Sequence, residues 1–213
     1  PQDLKMENHL KKAIRQNFPD DSILAEESVE KVGDSFWTID PLDGTSYYQR
    51  GLPDWSVNVA RVVNKEVVLA MTYCPVANEF FYSQKGQGAY LNERRIHVSE
   101  MSKLKEGIFF FGHNYIRAFN DEKSIKLRTE VQNVWSTGST ALALANLAAG
   151  RIDIGIQTSQ CFWDITGMLH VIEAGGKFTN WQNGQDFDTS GNKINNILAT
   201  NGKIHSTVLN LLV

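Results

Sequence analysis

Three apolar runs in close succession constrain the fold of this chain more than any other feature. The runs are WSVNVARVV, VVLAMTYC and EFFYSQ, and the segments between them include NK and PVAN. Short runs rich in β-branched and aromatic residues, joined by short polar turns, are typical of antiparallel strands that follow one another in a meander. The first half of the chain is therefore predicted to be rich in β-sheet.

Helical patterns flank and follow this meander. Residues 4–18 are predicted to form an amphipathic helix, with Asp3 placed to cap its start. The apolar face of this helix carries Met6, Leu10, Ile14 and Phe18. After about residue 100, strand-like runs such as GIFFFG and NILAT alternate with helical stretches such as GSTALALANLAAG and FWDITGMLHVIEAGG. We divide the chain into a β-rich half, residues 1–100, and an α/β half, residues 101–213, and predict an α+β fold of layered sheets and helices.

Composition excludes several classes of protein. The formal net charge is -3, and the absence of a Lys/Arg-rich run argues against nucleic-acid binding. No apolar stretch approaches the roughly 20 residues that a membrane span requires, and the N-terminus lacks a signal-peptide pattern. Cys74 and Cys161 are isolated and do not have the spacing of a zinc site or a disulfide framework. The chain is predicted to be a soluble, cytoplasmic protein without a membrane or nucleic-acid partner.

Four acidic residues stand at the predicted ends of strands or the start of a helix. They are Glu26, Asp40, Asp43 and Asp164. Carboxylate oxygens suit Mg²⁺, Mn²⁺ or Ca²⁺, and the proline between Asp40 and Asp43 would stiffen the loop so that both side chains converge. Taken alone, D-x-x-D-G-T is explained better by a solvated turn, and Asp164 alone is explained better by a helix cap. The four acids together indicate a metal site.

The residues after this acidic pair predict an anion site. Gly44, Thr45 and Ser46 could open a helix whose free N–H groups and positive dipole end would hold a phosphate oxygen. A metal ion beside an anion-binding backbone points to phosphoryl chemistry. The five histidines are scattered without an i, i+4 pair and are interpreted as structural or surface residues.

Several segments together resemble the inositol monophosphatase family of magnesium-dependent, lithium-sensitive phosphatases. The resemblance rests on AEES (25–28), WTIDPLDGTSYYQRGLPDWSVNVA (37–60), GQGAYLN (86–92), GSTALALANLAAGRID (138–153) and WDITGMLHVIEAGG (163–176). It spans nearly the whole chain, and the two signatures around Asp40 and Asp164 occur in the family's order. The resemblance implies the layered αβαβα sandwich that inositol monophosphatases share with fructose-1,6-bisphosphatases.

The resemblance also implies a set of metal ligands. Glu26, Asp40 and the carbonyl of Leu42 match the ligands of a first Mg²⁺, and Asp40, Asp43 and Asp164 match those of a second. Glu26 would also help to hold a third, looser ion through water, and Mn²⁺ could replace Mg²⁺.

The mechanism implied by the resemblance is direct hydrolysis of a phosphomonoester by a metal-activated water. Thr45 and Asp3 match the family residues that orient and deprotonate this water, and Glu26 and Asp43 are counted as catalytic residues with them. The backbone N–H groups of Gly44 and Thr45 would hold the phosphate. Asp3 is explained equally well as a plain helix cap.

The resemblance implies a set of substrate contacts as well. They involve Asp43, Gly138, Ser139, Thr140, Gln157 and Asp164. Inositol-selective members often carry a Glu at the position of Gln157, and an amide can hydrogen-bond there but carries no charge. Ser139 alone is equally well explained as a helix cap.

The expected substrate is inositol 1-phosphate or a related polyol or sugar phosphate. Relatives that cleave fructose 1,6-bisphosphate, histidinol phosphate or 3′-phosphoadenosine nucleotides are alternatives, as is a regulatory binding protein that keeps the fold. The family's N-terminal helical hairpin is expected to be absent from this chain, and the resemblance implies a homodimer.

Overall fold

Two β-sheets and the helices around them organise the chain. The computed structural model describes residues 2–28, 32–112, 122–184 and 193–212. The helices are α1 (Gln2–Asn17), α2 (Thr45–Gln49), α3 (Glu122–Glu130), α4 (Thr140–Ala148), α5 (Thr166–Glu173) and α6 (His205–Leu212). His113, one of the histidines considered above, lies outside the described residues.

The first sheet contains seven strands that lie side by side in chain order. They are β1 (Ile23–Ala25), β2 (Phe36–Asp43), β3 (Ser56–Val63), β4 (Glu66–Cys74), β5 (Glu79–Gln84), β6 (Gly88–Leu91) and β7 (Arg94–Ile96). β1 pairs with β2 in parallel, and each later pair is antiparallel. The predicted meander is confirmed.

The second sheet has five strands and a crossed order, β11-β12-β10-β8-β9. They are β8 (Ile108–Phe111), β9 (Asn133–Trp135), β10 (Ile154–Cys161), β11 (Lys177–Asn180) and β12 (Lys193–Thr200). β10 is parallel to β8 and antiparallel to β12, so this sheet is mixed. The strand predicted from GIFFFG is β8, and the one predicted from NILAT lies within β12.

The sheets and helices form five layers. α1 covers the outer side of the first sheet, α4 and α5 lie between the sheets, and α3 and α6 cover the outer side of the second sheet. Side chains of β8 alternate accordingly: Phe110 packs into the core between the sheets, whereas Phe109 and Phe111 pack toward α3 and α6. The predicted α+β fold, a layered αβαβα sandwich, is confirmed.

Helix α1 is confirmed, but it buries only part of its predicted face and two charged residues besides. Met6 and Phe18 are each 37% exposed, while Glu7 and Lys11 are buried beside Ile14. Two charged residues can be buried together because their side chains pair with each other, with an N–O distance of 3.0 Å. Asp3 lies within the first turn of the helix, one residue beyond its start, so the predicted capping position is wrong.

Ile14 and Leu10 of α1 pack against the first sheet, and an open groove adjoins this contact. Met6, Leu10 and Phe18 line this open groove together with Trp37 and Met71 from the first sheet. Among the described residues, no helix is both long and apolar enough to cross a membrane.

The two central helices approach each other very closely at a glycine. A Cβ atom on Gly167 of α5 would lie 2.5 Å from the Cβ of Leu144 on α4. Leu144 is itself 1% exposed and belongs to the core between the sheets, so it has little room to move.

We expect Gly167→Ala to destabilise the protein. Alanine usually stabilises a helix by about 1 kcal/mol relative to glycine, but overpacking a core costs about 1–3 kcal/mol, and the backbone of α5 cannot retreat without losing its contacts. The free energy of unfolding from urea denaturation measures the effect. Gly33→Ala is the matched control because no atom lies within 4 Å of the added Cβ. If Gly167→Ala were as stable as Gly33→Ala, the close contact between Gly167 and Leu144 would be contradicted.

Candidate metal-binding active site

A β-bulge in β2 brings Asp40 and Asp43 to the same face of the first sheet. In a regular strand, residues three positions apart point to opposite faces. Here Asp40 pairs with Asn58 of β3 and Asp43 pairs with Ser56, so three steps along β2 match two steps along β3. The extra residue reverses the alternation, and both aspartates point the same way. Pro41 lies in this bulge and has no backbone N–H to donate to a ladder.

Asp164 joins this pair from the second half of the chain. It ends a short 3-10 turn, Phe162–Asp164, that connects β10 to α5. One carboxylate oxygen each from Asp40, Asp43 and Asp164 lies within 4.8 Å of the other two. Within the part of the chain that the structure describes, the buried Oδ1 of Asp164 has no hydrogen-bond partner.

The crowding of these carboxyl groups raises their pKa values. Burial is the largest cause for Asp40, whose pKa lies well above its usual range, and the charge of Asp164 is the next. Burial and the charge of Asp43 raise the pKa of Asp164 in the same way. Burial raises the pKa of Asp43 to about 6, although hydrogen bonds from Ser139 and from backbone groups oppose the shift. A cation placed between these groups would remove the repulsion.

Glu26 stands beside the cluster and is held by α1. Burial raises the pKa of Glu26, and its carboxyl hydrogen-bonds with Asp40. The next two residues are anchored to Glu7, whose carboxylate accepts the Glu27 N–H at 2.9 Å and the Ser28 hydroxyl. Lys11 donates to Ser28 as well. The buried Glu7–Lys11 pair therefore positions the loop that carries Glu26.

Asp43 is fixed by the start of α4 and by β3. Its Oδ2 accepts the Ser139 hydroxyl at 2.6 Å and the Ala141 N–H at 3.0 Å. The Ser139 hydroxyl also lies 2.8 Å from that of Ser56, and it accepts the Leu142 N–H as the cap of α4. The cap predicted for Ser139 is confirmed, and the same oxygen orients Asp43.

Gly44 and Thr45 follow the pair in a compact turn. Gly44 has a φ of +96°, and a Cβ there would lie 3.2 Å from both the Asp54 carbonyl oxygen and the Trp55 Cβ. Thr45 begins α2, and its hydroxyl donates to the Leu42 carbonyl at 3.0 Å. The first N–H groups of a helix have no acceptor within the helix. Asp3 lies near enough for its charge to raise the pKa of Glu26.

Besides Asp43 and Asp164, the residues predicted to contact substrate lie at the start of α4 and on β10. Gly138 is covered by the ring of Tyr47, since a Cβ there would lie 2.4 Å from Cδ2. Gln157 is 7% exposed, and its Nε2 donates to the Thr140 hydroxyl at 2.6 Å. The Gln157 side chain lies against Gly112, where a Cβ would overlap it. Gln157 and Thr140 thus form a pair beside Ser139 at the start of α4.

Sequence reasoning missed the residues that support the acids. Ser56 and Asn58 lie within a segment that carries the family resemblance, whereas Glu7 and Lys11 lie outside it. The role of each depends on contacts between distant segments. For Glu7 and Lys11 the available signal was their i, i+4 spacing.

The acidic cluster fits a hard divalent cation. Its side-chain donors are all oxygens, three of them converge, and one buried oxygen lacks a partner. Carboxylate and carbonyl oxygens are the ligands that Mg²⁺ and Mn²⁺ prefer.

The chain is similar in sequence to members of one protein family. The model of the inositol monophosphatase family matches residues 2–213. A fructose-1,6-bisphosphatase/inositol-1-monophosphatase of Thermotoga maritima is 37% identical over 204 residues, which cover 93% of this chain and 76% of that protein. A Nus factor SuhB of Salmonella typhimurium is 36% identical over 205 residues, which cover 92% of this chain and 75% of that protein.

One solved structure is similar to this chain in both fold and sequence. It is an inositol monophosphatase of Thermotoga maritima with a TM-score of 0.89 and 32% identity, and the match covers 99% of this chain and 81% of that one.

The raised pKa of Asp43 predicts a pH-dependent stability in metal-free protein. Its usual pKa is 3.8 and its folded pKa is about 6, so between these values the folded state binds more protons than the unfolded state. The contribution of this group to stability is therefore present at low pH and is lost as the pH rises. In the presence of EDTA, Asp43→Asn should gain stability relative to the wild type between about pH 4 and about pH 7.

Urea denaturation at several pH values measures this difference, and excess Mg²⁺ should reverse it by stabilising the wild type. Asp34→Asn, at an exposed aspartate, is the control. A stability difference that is independent of pH would show that Asp43 titrates alike in the folded and unfolded states.

Proposed function

This chain belongs to the inositol monophosphatase family, and we propose that it hydrolyses a small phosphomonoester with Mg²⁺, or Mn²⁺, as cofactor. The observation that carries the proposal is the convergence of Asp40, Asp43 and Asp164 from distant parts of the chain. Buried carboxyl groups that repel one another are stabilised by cations, and the turn at Gly44 and Thr45 lies beside them.

The proposed ligand sets share Asp40. Glu26, Asp40 and the Leu42 carbonyl would hold one ion, and Asp40, Asp43 and Asp164 a second; a third would be held more loosely near Glu26. When bound, such ions supply Lewis-acid charge that lowers the pKa of water and stabilises a departing oxygen. The bulge, the start of α4 and the Glu7–Lys11 pair hold these residues in place before substrate arrives.

The protein's own groups would bind the phosphate and handle the proton. The N–H groups of Gly44 and Thr45 would donate to phosphate oxygens. The Thr45 hydroxyl donates to the Leu42 carbonyl. It would rotate so that its own proton passes to Asp3 while its oxygen receives the proton of the attacking water. Ser139 keeps Asp43 aimed into the pocket while this occurs.

Inositol 1-phosphate or a related polyol or sugar phosphate is the proposed substrate. Fructose 1,6-bisphosphate is the strongest alternative, because the Thermotoga maritima relative is named for both activities. Histidinol phosphate and 3′-phosphoadenosine nucleotides are further alternatives. Lithium sensitivity and homodimerisation also belong to the proposal and rest on the family resemblance alone.

A regulatory role is the second candidate function. It is favoured by relatives named Nus factor SuhB, of which one is 36% identical to this chain. Such a role would be independent of the metal ligands, so a variant lacking them separates the two functions in a cell that depends on the protein.

We expect the protein to release phosphate from inositol 1-phosphate in the presence of Mg²⁺. Asp40→Asn and Asp164→Asn should each lower kcat/KM by more than about a hundredfold, because loss even of a group behind a metal ligand costs about 10- to 100-fold. A phosphate-release assay with a panel of phosphomonoesters measures this, and Asp34→Asn is the control. Folded protein that binds Mn²⁺ and cleaves no member of the panel would contradict the proposed activity.

Gln157→Glu should shift substrate preference toward inositol 1-phosphate. A carboxylate would still bond the Thr140 hydroxyl, which becomes the donor, and it would accept an inositol hydroxyl in a stronger, charge-assisted bond. The ratio of kcat/KM for inositol 1-phosphate to kcat/KM for glycerol 2-phosphate is the measurement. A parallel change for both substrates would contradict a contact with the inositol ring, and Thr140→Val tests the paired residue.

A further inference from the structure

A chain of buried hydrogen bonds connects the first sheet to the start of α5. Its members are Ser83 of β5, Thr72 of β4, and His170 and Thr166 of α5, all with 0% exposure. The Ser83 hydroxyl lies 2.7 Å from Nδ1 of His170, and Nε2 lies 3.1 Å from the Thr72 hydroxyl. Thr72 donates to the Thr166 hydroxyl at 3.1 Å. We refer to these four residues as the His170 chain.

The direction of these bonds determines the form of the imidazole. Burial lowers the pKa of His170 to about 3, so the ring is neutral and carries one N–H donor and one acceptor nitrogen. The Thr72 hydroxyl donates its hydrogen bond to Thr166, so toward His170 it can only accept. Nε2 of His170 therefore carries the N–H that donates to Thr72. Nδ1 then accepts the Ser83 hydroxyl. Every donor in the chain thus points toward Thr166.

Thr166 lies two residues after Asp164, at the first position of α5. Helix starts are usually fixed by a side chain at the N-cap, the residue before the helix. The N-cap of α5 is Ile165, whose side chain makes no hydrogen bond. The His170 chain ties the first residue of the helix to β4 through side-chain hydrogen bonds. On the other side of Asp164, Gln160 donates to the Asp164 carbonyl oxygen at 2.6 Å. The backbone of Asp164 is therefore held from both sides.

Breaking the chain would leave hydroxyl groups buried without partners. Each such group is costly, so α5 cannot shift away from β4 while the chain is intact. The Asp164 carboxylate has to stay close to Asp40 and Asp43 for the three to share an ion, and a shift of its backbone moves the carboxylate directly.

A second buried histidine provides an internal comparison. His205 lies at the start of α6, with Nε2 3.0 Å from the Thr179 hydroxyl and Nδ1 2.9 Å from the Thr200 hydroxyl. These elements carry none of the proposed site residues. The same type of interaction therefore occurs once beside the site and once away from it.

We propose that His170 and Thr166 are positioning residues for the metal site, and that they act by holding the start of α5 so that Asp164 meets Asp40 and Asp43. The proposal rests on the proposed metal-dependent function. It assigns a role to side chains that touch neither substrate nor metal.

The test compares Mn²⁺ affinity, measured by calorimetry, across five proteins. Asn at position 170 can reach Ser83 but not Thr72, whereas the Gln amide nitrogen can occupy the place of Nε2 and donate to Thr72. We expect His170→Asn and Thr166→Val to weaken Mn²⁺ binding about tenfold, the lower end for groups that orient metal ligands. His170→Gln should bind Mn²⁺ close to the wild-type affinity. His205→Asn should lose stability without losing Mn²⁺ affinity.

A second measurement does not depend on metal. The ¹⁵N shifts of His170 should identify the tautomer protonated at Nε2 in metal-free protein, and protonation at Nδ1 would overturn the chain's direction. Equal Mn²⁺ affinity in His170→Asn and wild type, or equal weakening in His170→Asn and His205→Asn, would overturn the positioning role. If His170→Asn does not fold, Thr166→Val decides the question. Wild-type protein that binds no Mn²⁺ would instead overturn the proposed metal site itself.

Discussion

Repulsion among buried carboxyl groups is the constraint on which this structure depends. Asp40, Asp43 and Asp164 lie within a few ångströms of one another, with Glu26 bonded to Asp40. Such an arrangement raises the free energy of the folded state unless a cation is bound, and it persists because separate elements of the fold hold each acid. The bulge in β2 determines the direction of Asp40 and Asp43, and the turn before α5 determines the position of Asp164. The stability of the rest of the molecule compensates for a site that is unfavourable on its own.

The sequence predicted the layered fold and the identity of the clustered acids well, because both leave local signals. Meander strands are marked by alternating apolar residues and short turns, and the motifs around Asp40 and Asp164 are distinctive in combination. The apolar spacing along α1 predicts only part of the buried face, because Ile14 is buried but Met6 and Phe18 are exposed. Glu7 and Lys11 are buried because they neutralise each other and bond the loop at Ser28, which is a tertiary contact.

The supporting hydrogen bonds could not have been predicted in the same way. The contacts of Ser56 with Ser139 and of Thr72 with Thr166 join residues more than 80 positions apart. Hydroxyl groups of serine and threonine are common at the surface, and no local pattern distinguishes those that will be buried. Their partners follow only from the order of strands and the crossing of helices. The part of the site that orients the acids is therefore encoded by topology more than by motif.

The bulge in β2 has a consequence for recognising active members among homologous chains. Because one extra residue determines the facing of Asp43, a homologue with a single insertion or deletion between the two aspartates would retain every acidic ligand and yet direct one of them to the opposite face. Such a chain would still align well, but its aspartates would no longer share a face and could not form the proposed metal site. The spacing of these aspartates is a better mark of catalytic competence than their presence.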